Sequence, residues 1–248
     1  MARHDPLIGV LGGMGPLATA DFLRRLTLAA PAEVDQDHCR VLVYSNPKTP
    51  DRSAGILGDG PSPLPSLLDG VALLARSGAD VIVMPCNTAH YWLDDLVAST
   101  RVPFISIFDA IRRDLASHDV RSGSIGVLGT AGTIKSGLFQ RDLKSSGYGV
   151  VEPSLAEMEE FVEPAIRAVK ASQIEAARPL LGAALAALAE RGAAAVVLGC
   201  TELPLAVDGS ARESGPLIVE STQSLADACI AWTLERPASG VASALAQA

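Results

Sequence analysis

Residues 78–90 read Gly-Ala-Asp-Val-Ile-Val-Met-Pro-Cys-Asn-Thr-Ala-His, and residues 192–204 read Gly-Ala-Ala-Ala-Val-Val-Leu-Gly-Cys-Thr-Glu-Leu-Pro. Aligned on their leading glycines, they set Cys86 against Cys200, with a hydroxyl-bearing residue close behind each, Thr88 and Thr201. The upstream context repeats as well: Ile8-Gly9-Val10-Leu11-Gly12 is matched by Ile125-Gly126-Val127-Leu128-Gly129 at nearly the same spacing. Self-similarity of this kind indicates a duplicated unit. The chain reads as two related halves, each presenting one cysteine at the same structural place.

Val81-Ile82-Val83-Met84 and Ala195-Val196-Val197-Leu198 are short apolar runs rich in β-branched residues, suited to strands buried on both faces of a parallel sheet. Each stops at Pro or Gly and then Cys, followed by Asn/Thr residues of the kind that cap helices. Both cysteines are therefore expected at the carboxyl end of a strand and near a helix N-terminus, where ligands of open α/β sheets bind. The helix dipole favours an anion there, so both thiols are expected to have a lowered pKa.

A chain of 248 residues can bury one large core or two moderate ones. With 48% hydrophobic and 19% charged residues it is globular rather than disordered. A net charge of −8 without a basic run argues against nucleic acid as a partner. Cys39, Cys86, Cys200 and Cys229 contain no Cys-x-x-Cys and make neither a disulfide framework nor a zinc signature. The first apolar run breaks at Gly12-Gly13-Met14-Gly15-Pro16, and no stretch is long enough to span a bilayer. The expected compartment is the reducing cytoplasm.

In chain order, Leu7–Leu11 reads as a strand, and the glycine turn after it opens a helix to about Ala29. That turn is a weak match to a dinucleotide fingerprint; it is better suited to bringing backbone close to a small ligand or to the facing half. Val41–Ser45 is a second strand that leads into the polar segment 46–53. Residues 55–65 read as an irregular loop, a candidate lid. Helices are expected over 66–77, 90–99, 108–117, 130–144, 155–171, 173–191 and 221–232. Short strands are expected at 102–107, around Val150 and at 217–219. The tail from Arg236 reads as frayed. This alternation argues for an α/β fold with parallel sheets. The boundaries drawn from it are residues 1–106 plus 208–248 for the first domain, the latter as a closing segment, and 107–207 for the second.

Two pseudo-symmetric halves facing each other across a cleft, each offering a thiol, would put an acid–base group on either face of a carbon acid. That arrangement can remove a proton from one side and return it from the other, provided donors stabilise the enolate-like transition state.

Gly12-Gly13-Met14-Gly15-Pro16, Pro50-Asp51-Arg52-Ser53, Cys86-Asn87-Thr88-Ala89-His90 and Gly199-Cys200-Thr201-Glu202-Leu203-Pro204 together resemble the signature motifs of the aspartate/glutamate racemase family. The resemblance implies two flavodoxin-like domains, a homodimer, and a proton transfer by a thiolate/thiol pair that uses neither pyridoxal phosphate nor a metal. It makes Cys86 and Cys200 the two bases. Asn87, Thr88 and Thr201 would bind the substrate carboxylate or orient the thiols, and Arg52 would pair with a carboxylate. Met14, Thr130 and Thr133 would line the site, and Lys170 would hold the distal carboxylate. Glu202, after Cys-Thr, is similar to the aspartate-racemase branch; glutamate racemases of cell-wall synthesis typically carry His there. The family's usual Asp before Ser/Thr-Thr is Glu220 here, and the histidine that often follows is replaced in the neighbourhood of Ser224-Leu225.

Cys39 and Cys229 read as small buried hydrophobes, and His90 as a helix or interface residue. Glu202 fits a structural hydrogen-bond partner as well as an orienting group, and Lys170 a solvated helix lysine as well as a ligand. Three functions compete: a racemase of an acidic amino acid, another carbon-acid enzyme of the superfamily (a hydantoin racemase or maleate isomerase), and a non-catalytic amino-acid-binding protein.

Overall fold

The computed structural model describes residues 5–207 and 215–236. The first half supplies strands Leu7–Gly12 (β1), Arg40–Ser45 (β2), Val81–Val83 (β3) and Phe104–Ile105 (β4). The second supplies Ser124–Leu128 (β5), Gly149–Val151 (β6), Ala193–Leu198 (β7) and Leu217–Glu220 (β8). The sheets run β2-β1-β3-β4 and β6-β5-β7-β8, which is one strand order used twice. Corresponding residues hold corresponding registers: Ile8 pairs with Val41 and Val81, while Ile125 pairs with Val150 and Ala195. All pairings are parallel, and a chain that crosses from one side of its first strand to the other follows the flavodoxin-like order.

The helices are Pro16–Ala29 (α1), Arg52–Leu57 (α2), Leu64–Arg76 (α3), Leu93–Ala98 (α4) and Ile107–Ser117 (α5) in the first half. They continue with Ala131–Ser136 (α6), Leu138–Ser145 (α7), Leu155–Glu157 (α8), Glu163–Lys170 (α9), Ile174–Glu190 (α10) and Ser221–Leu234 (α11). Because side chains alternate along a strand, each sheet has two apolar faces to cover. Val81 and Val83 of β3, with Ala195 and Val197 of β7, face one shared core built with α1, α5, α7 and α11. Ile82 and Met84 turn outward to the α3 side, and Val196 and Leu198 to α9 and α10. Both sheets thus sandwich a common helical layer.

Several expectations are corrected. Within the segment 208–248, drawn from the sequence as closing the domain of residues 1–106, the strand β8 pairs with β7 and extends the second sheet, while the helix α11 packs with α1 and α5. Strand β8 takes the fourth place in its sheet, as β4 does in the first, because the duplication runs through to that strand. Residues 208–214 and 237–248 lie outside the described residues, and with them the expected frayed tail. The helix expected over 130–144 is two, split at Gly137, whose φ of 68° is left-handed and ends α6. The helix expected over 155–171 contains a π turn at Met158–Val162 just before Pro164, a residue without an N–H to continue the ladder. The 90–99 helix is a 3-10 turn, Thr88–Trp92, running into α4. The expected 55–65 loop is shortened to residues 58–63, since α2 runs to Leu57 and α3 begins at Leu64.

The closing helix is tied down by charge. Arg25 on α1 bonds Asp21 one turn back at 2.6 Å and reaches Glu220 at the end of β8 at 2.5 Å. Both carboxylates are buried. Glu220, the departure from the family pattern, therefore joins α1 to the second sheet. Removing one partner of such a cluster strands buried charge. Arg25→Ala is expected to cost about 3–5 kcal/mol in chemical denaturation, whereas Arg24→Ala, whose side chain is 59% exposed beside the same Asp21, should cost little. Similar losses for the two variants would contradict this assignment.

Candidate active site

Beyond β3 the chain continues through Met84 and Pro85 to Cys86; beyond β7 it passes Gly199 to Cys200. Both cysteines keep the outward parity of their strands, Cys86 joining the core on the α3 side and Cys200 the one on the α9–α10 side. Both line one cleft between the halves. From the first half its walls carry Met14 of the glycine turn, Asp51, Arg52 and Ser53 at the start of α2, and Asn87 and Thr88. From the second half come Thr130, Lys170 at the end of α9, Thr201 and Glu202.

The halves are joined across this cleft by hydroxyls. Ser53 donates to Thr130 Oγ1 at 2.9 Å, and Thr88 shares hydrogen bonds with Thr130 at 3.3 Å and Thr133 at 2.7 Å. Thr130 also caps α6, accepting the Thr133 N–H. Gly132 lets α2 approach this closely, since a Cβ there would lie 2.6 Å from Ser53 Cα. On the other side Asn87 Nδ2 donates to Ser221 Oγ at 2.8 Å, which donates to the Leu198 carbonyl at 2.8 Å. The glycine turn serves the facing half: Gly15 leaves room for Glu202, whose Oε1 would stand 3.1 Å from a Cβ there.

Of the residues singled out from the sequence, Met14, Arg52, Cys86, Asn87, Thr88, Thr130, Lys170, Cys200, Thr201 and Glu202 meet at the cleft. Thr133 does not; it is fully buried behind Thr88 and Thr130 and supports them. Asp51 and Ser53 belong to the Pro50–Ser53 motif without a role assigned to them by it, yet both line the wall. Ser221 lies in the Glu220-Ser221-Thr222 motif but the sequence assigns it no role, because its bond to Asn87 spans the two halves.

The thiols differ from expectation. Burial pushes Cys86 above its usual range, against the lowering pull of Arg52, the Ala89 N–H and Lys170; Glu202 adds to the rise. Burial pushes Cys200 well up, and Glu202 pushes it further, both by its charge and by accepting the Cys200 S–H at 3.0 Å. The expected helix dipole is missing at both places. Cys86 leads into a 3-10 turn, and Cys200 into a turn and the 3-10 segment Leu203–Ala206. One amide apiece does not offset full desolvation.

The cleft also holds polar atoms awaiting partners. Arg52 donates through Nη1 to the Thr49 and Pro50 carbonyls at 3.3 and 3.1 Å, but its buried Nε has no hydrogen-bond partner. Asn87 Oδ1 and Glu202 Oε1 are likewise buried and unpartnered. Buried polar groups are normally satisfied, so three orphans around one cleft mark a ligand site. Among the described residues no group of three or more His, Cys, Asp or Glu is placed to hold a metal, and no helix is long and apolar enough to cross a membrane.

A two-sheet, flavodoxin-like chain with a thiol from each half in one cleft defines a class, and the chain belongs to it: residues 11–229 match the Asp/Glu/Hydantoin racemase family. Among particular relatives, it is 26% identical over 234 residues to the broad specificity amino-acid racemase RacX of Bacillus subtilis, covering 92% of this chain and 98% of that one. It is 34% identical over 171 residues to the glutamate racemase of Corynebacterium diphtheriae, covering 63% of this chain and 61% of that one. The solved structure of Picrophilus torridus aspartate racemase superposes with a TM-score of 0.80 at 29% identity, over 92% of this chain and 94% of that one.

His90 supports Cys86 from behind. It is buried between the Cys86 carbonyl, 2.8 Å from Nδ1, and the Ile107 N–H, 3.2 Å from Nε2. A carbonyl only accepts and an amide only donates, so Nδ1 carries the proton and Nε2 is bare. Burial lowers its pKa from 6.5 to about 4, partly opposed by the Cys86 carbonyl and Asp109. The unfolded chain then binds a proton that the folded one refuses, so this contribution is complete above pH 6.5 and lost as pH falls toward 4. The loss amounts to about 3 kcal/mol at 1.36 kcal/mol per unit. Urea unfolding of wild type and His90→Asn between pH 4.5 and 7 should show a steeper acid slope for wild type; parallel slopes would refute the neutral, buried imidazole.

Proposed function

We propose that this protein racemises an acidic amino acid without a cofactor, with Cys86 and Cys200 as the two proton-transfer groups. The observation that supports this most is that equivalent positions of a duplicated fold bring one thiol from each half to one cleft, beside the cations Arg52 and Lys170. In the reaction one cysteine, as thiolate, takes the α-proton. Charge spreads into the α-carboxylate, and the other cysteine's S–H protonates the opposite face. The product is the enantiomer, with the proton now on the first sulfur; exchange with solvent restores the starting pair.

The electrostatics support a division of labour. Arg52 and the Ala89 N–H oppose the cost of ionising Cys86, while Glu202 raises the cost for Cys200. Burial raises both thiols, but Cys86 is the easier of the two to ionise, which makes it the first candidate for the thiolate and Cys200 for the thiol. A substrate with two carboxylates and one ammonium is matched by two cations and the acceptors Glu202 and Asn87. The free thiols suit a reducing cytoplasm, and a homodimer is the assembly the family resemblance implies. The broad specificity of the Bacillus subtilis relative favours a second reading, in which neutral amino acids are substrates as well.

Deuterium wash-in at Cα, followed by NMR with each enantiomer of aspartate, glutamate and alanine, tests both readings. Wild type should label both enantiomers of an acidic pair, and Cys86→Ala or Cys200→Ala should each lower interconversion by on the order of 10³-fold. Turnover of alanine alone would replace the acidic substrate by a neutral one; binding without any exchange would overturn the racemase. In the single-thiol variants, wash-in by Cys200→Ser, which relies on Cys86, should rise at lower pH than wash-in by Cys86→Ser. Coincident profiles would remove the division of labour.

A further inference from the structure

We infer that Glu202 Oε1 and Asn87 Oδ1 form an ammonium subsite, which makes an α-amine, rather than a carboxylate alone, the group that this cleft requires of its ligand. The inference rests on the proposed racemase reading and specifies which atoms of the chain recognise the amine.

Both residues are cleft-lining and almost fully buried, Glu202 at 4% and Asn87 at 2% exposure. The hydrogen-bond chain settles which way Asn87 points. Ser221 spends its hydroxyl proton on the Leu198 carbonyl, so it can only accept from Asn87, and the Asn87 amide must present its NH₂ to Ser221. Oδ1 is left as an acceptor with no partner. Glu202 is oriented in the same manner. Its Oε2 accepts the Cys200 S–H at 3.0 Å, and its Oε1 lies over Gly15 without a hydrogen-bond partner.

Two buried acceptors of this kind call for a donor, and a carboxylate among them calls for a cationic one. Among the described residues no Lys or Arg is within ion-pair distance of Glu202, so the cation must come with the ligand. An α-ammonium has the charge and the several N–H donors required. Its arrival also bears on the chemistry, because Glu202, whose Oε2 accepts the Cys200 S–H, adds to the rise that burial imposes on that thiol. A positive charge on Oε1 offsets that effect at the neighbouring sulfur. Binding of the amine and ionisation of Cys200 are thereby coupled through one carboxylate. A 2-hydroxy acid or a plain diacid would bring no such charge.

The test is calorimetric and needs no turnover. It compares L-aspartate with succinate, its amine-free counterpart, and L-alanine with propionate, on wild type, Glu202→Gln and Glu202→Asp. Wild type should prefer the amine-bearing member of a pair. Glu202→Gln should weaken L-aspartate by roughly 10–100-fold, the value of a charge-assisted hydrogen bond, while succinate changes little or tightens as a repelling charge is removed. Glu202→Asp keeps the charge on a shorter arm; it should lose part of the preference and serves if the glutamine variant does not fold. Equal losses for L-aspartate and succinate, or an undiminished amine preference in Glu202→Gln, would overturn the subsite. If wild type ignores the acidic pair but separates L-alanine from propionate through Glu202, the acidic substrate falls and the ammonium subsite stands. If wild type binds none of the four, both fall.

Discussion

Everything in this molecule depends on covering two parallel sheets on both faces. A parallel sheet leaves no face for water, so each half must bury one side of its strands against its own helices and the other against something shared. The shared element is the layer of α1, α5, α7 and α11, into which Val81, Val83, Ala195 and Val197 all project. Strand parity then dictates the rest. Residues one step out of phase, Ile82 and Met84 or Val196 and Leu198, face away from that layer, and the cysteines beyond them keep this phase. Duplication and pleat together bring two thiols to the same rim of two sheets.

The same packing shapes the chemistry. The cleft is closed by Ser53, Thr88, Thr130 and Thr133 on one side and by Asn87 and Ser221 on the other, and burial raises both thiols. A raised thiol is a poor base in the empty site. On the proposed racemase reading, charge arriving with the ligand is what would make it a competent one, since desolvated charges interact strongly at short range. Glu202 and Arg52 divide the two sulfurs into unequal partners. His90 holds the Cys86 carbonyl by a proton on Nδ1, an arrangement that tolerates only the neutral ring.

Departures from the family pattern sort by where their side chains lie. Glu220, at the end of β8, is engaged with Arg25, so that difference concerns how the closing helix is anchored rather than what the cleft recognises. Ser224, near the place of the missing histidine, is buried and donates to Asp114 at 2.6 Å, again linking α11 to α5. Glu202, which is no departure but resembles the aspartate-racemase branch, lies on the cleft wall with one oxygen on Cys200 and the other unpartnered. Of the three positions, only Glu202 touches the site.

The amino-acid order by itself determined the duplication, the α/β class, the strands that end at Cys86 and Cys200, and most of the cleft residues. All of these arise from local pattern: apolar runs with β-branched residues, glycine turns, and motifs that recur at matched spacing. The tertiary structure alone decided what depends on contacts between distant residues. It assigned β8 to the second sheet, put Thr133 behind the wall rather than on it, and paired Asn87 with Ser221. It also reversed the expected lowering of the thiols. Proximity to a helix start can be read locally, but desolvation is the sum of every atom packed around the sulfur, and those atoms come from both halves of the chain.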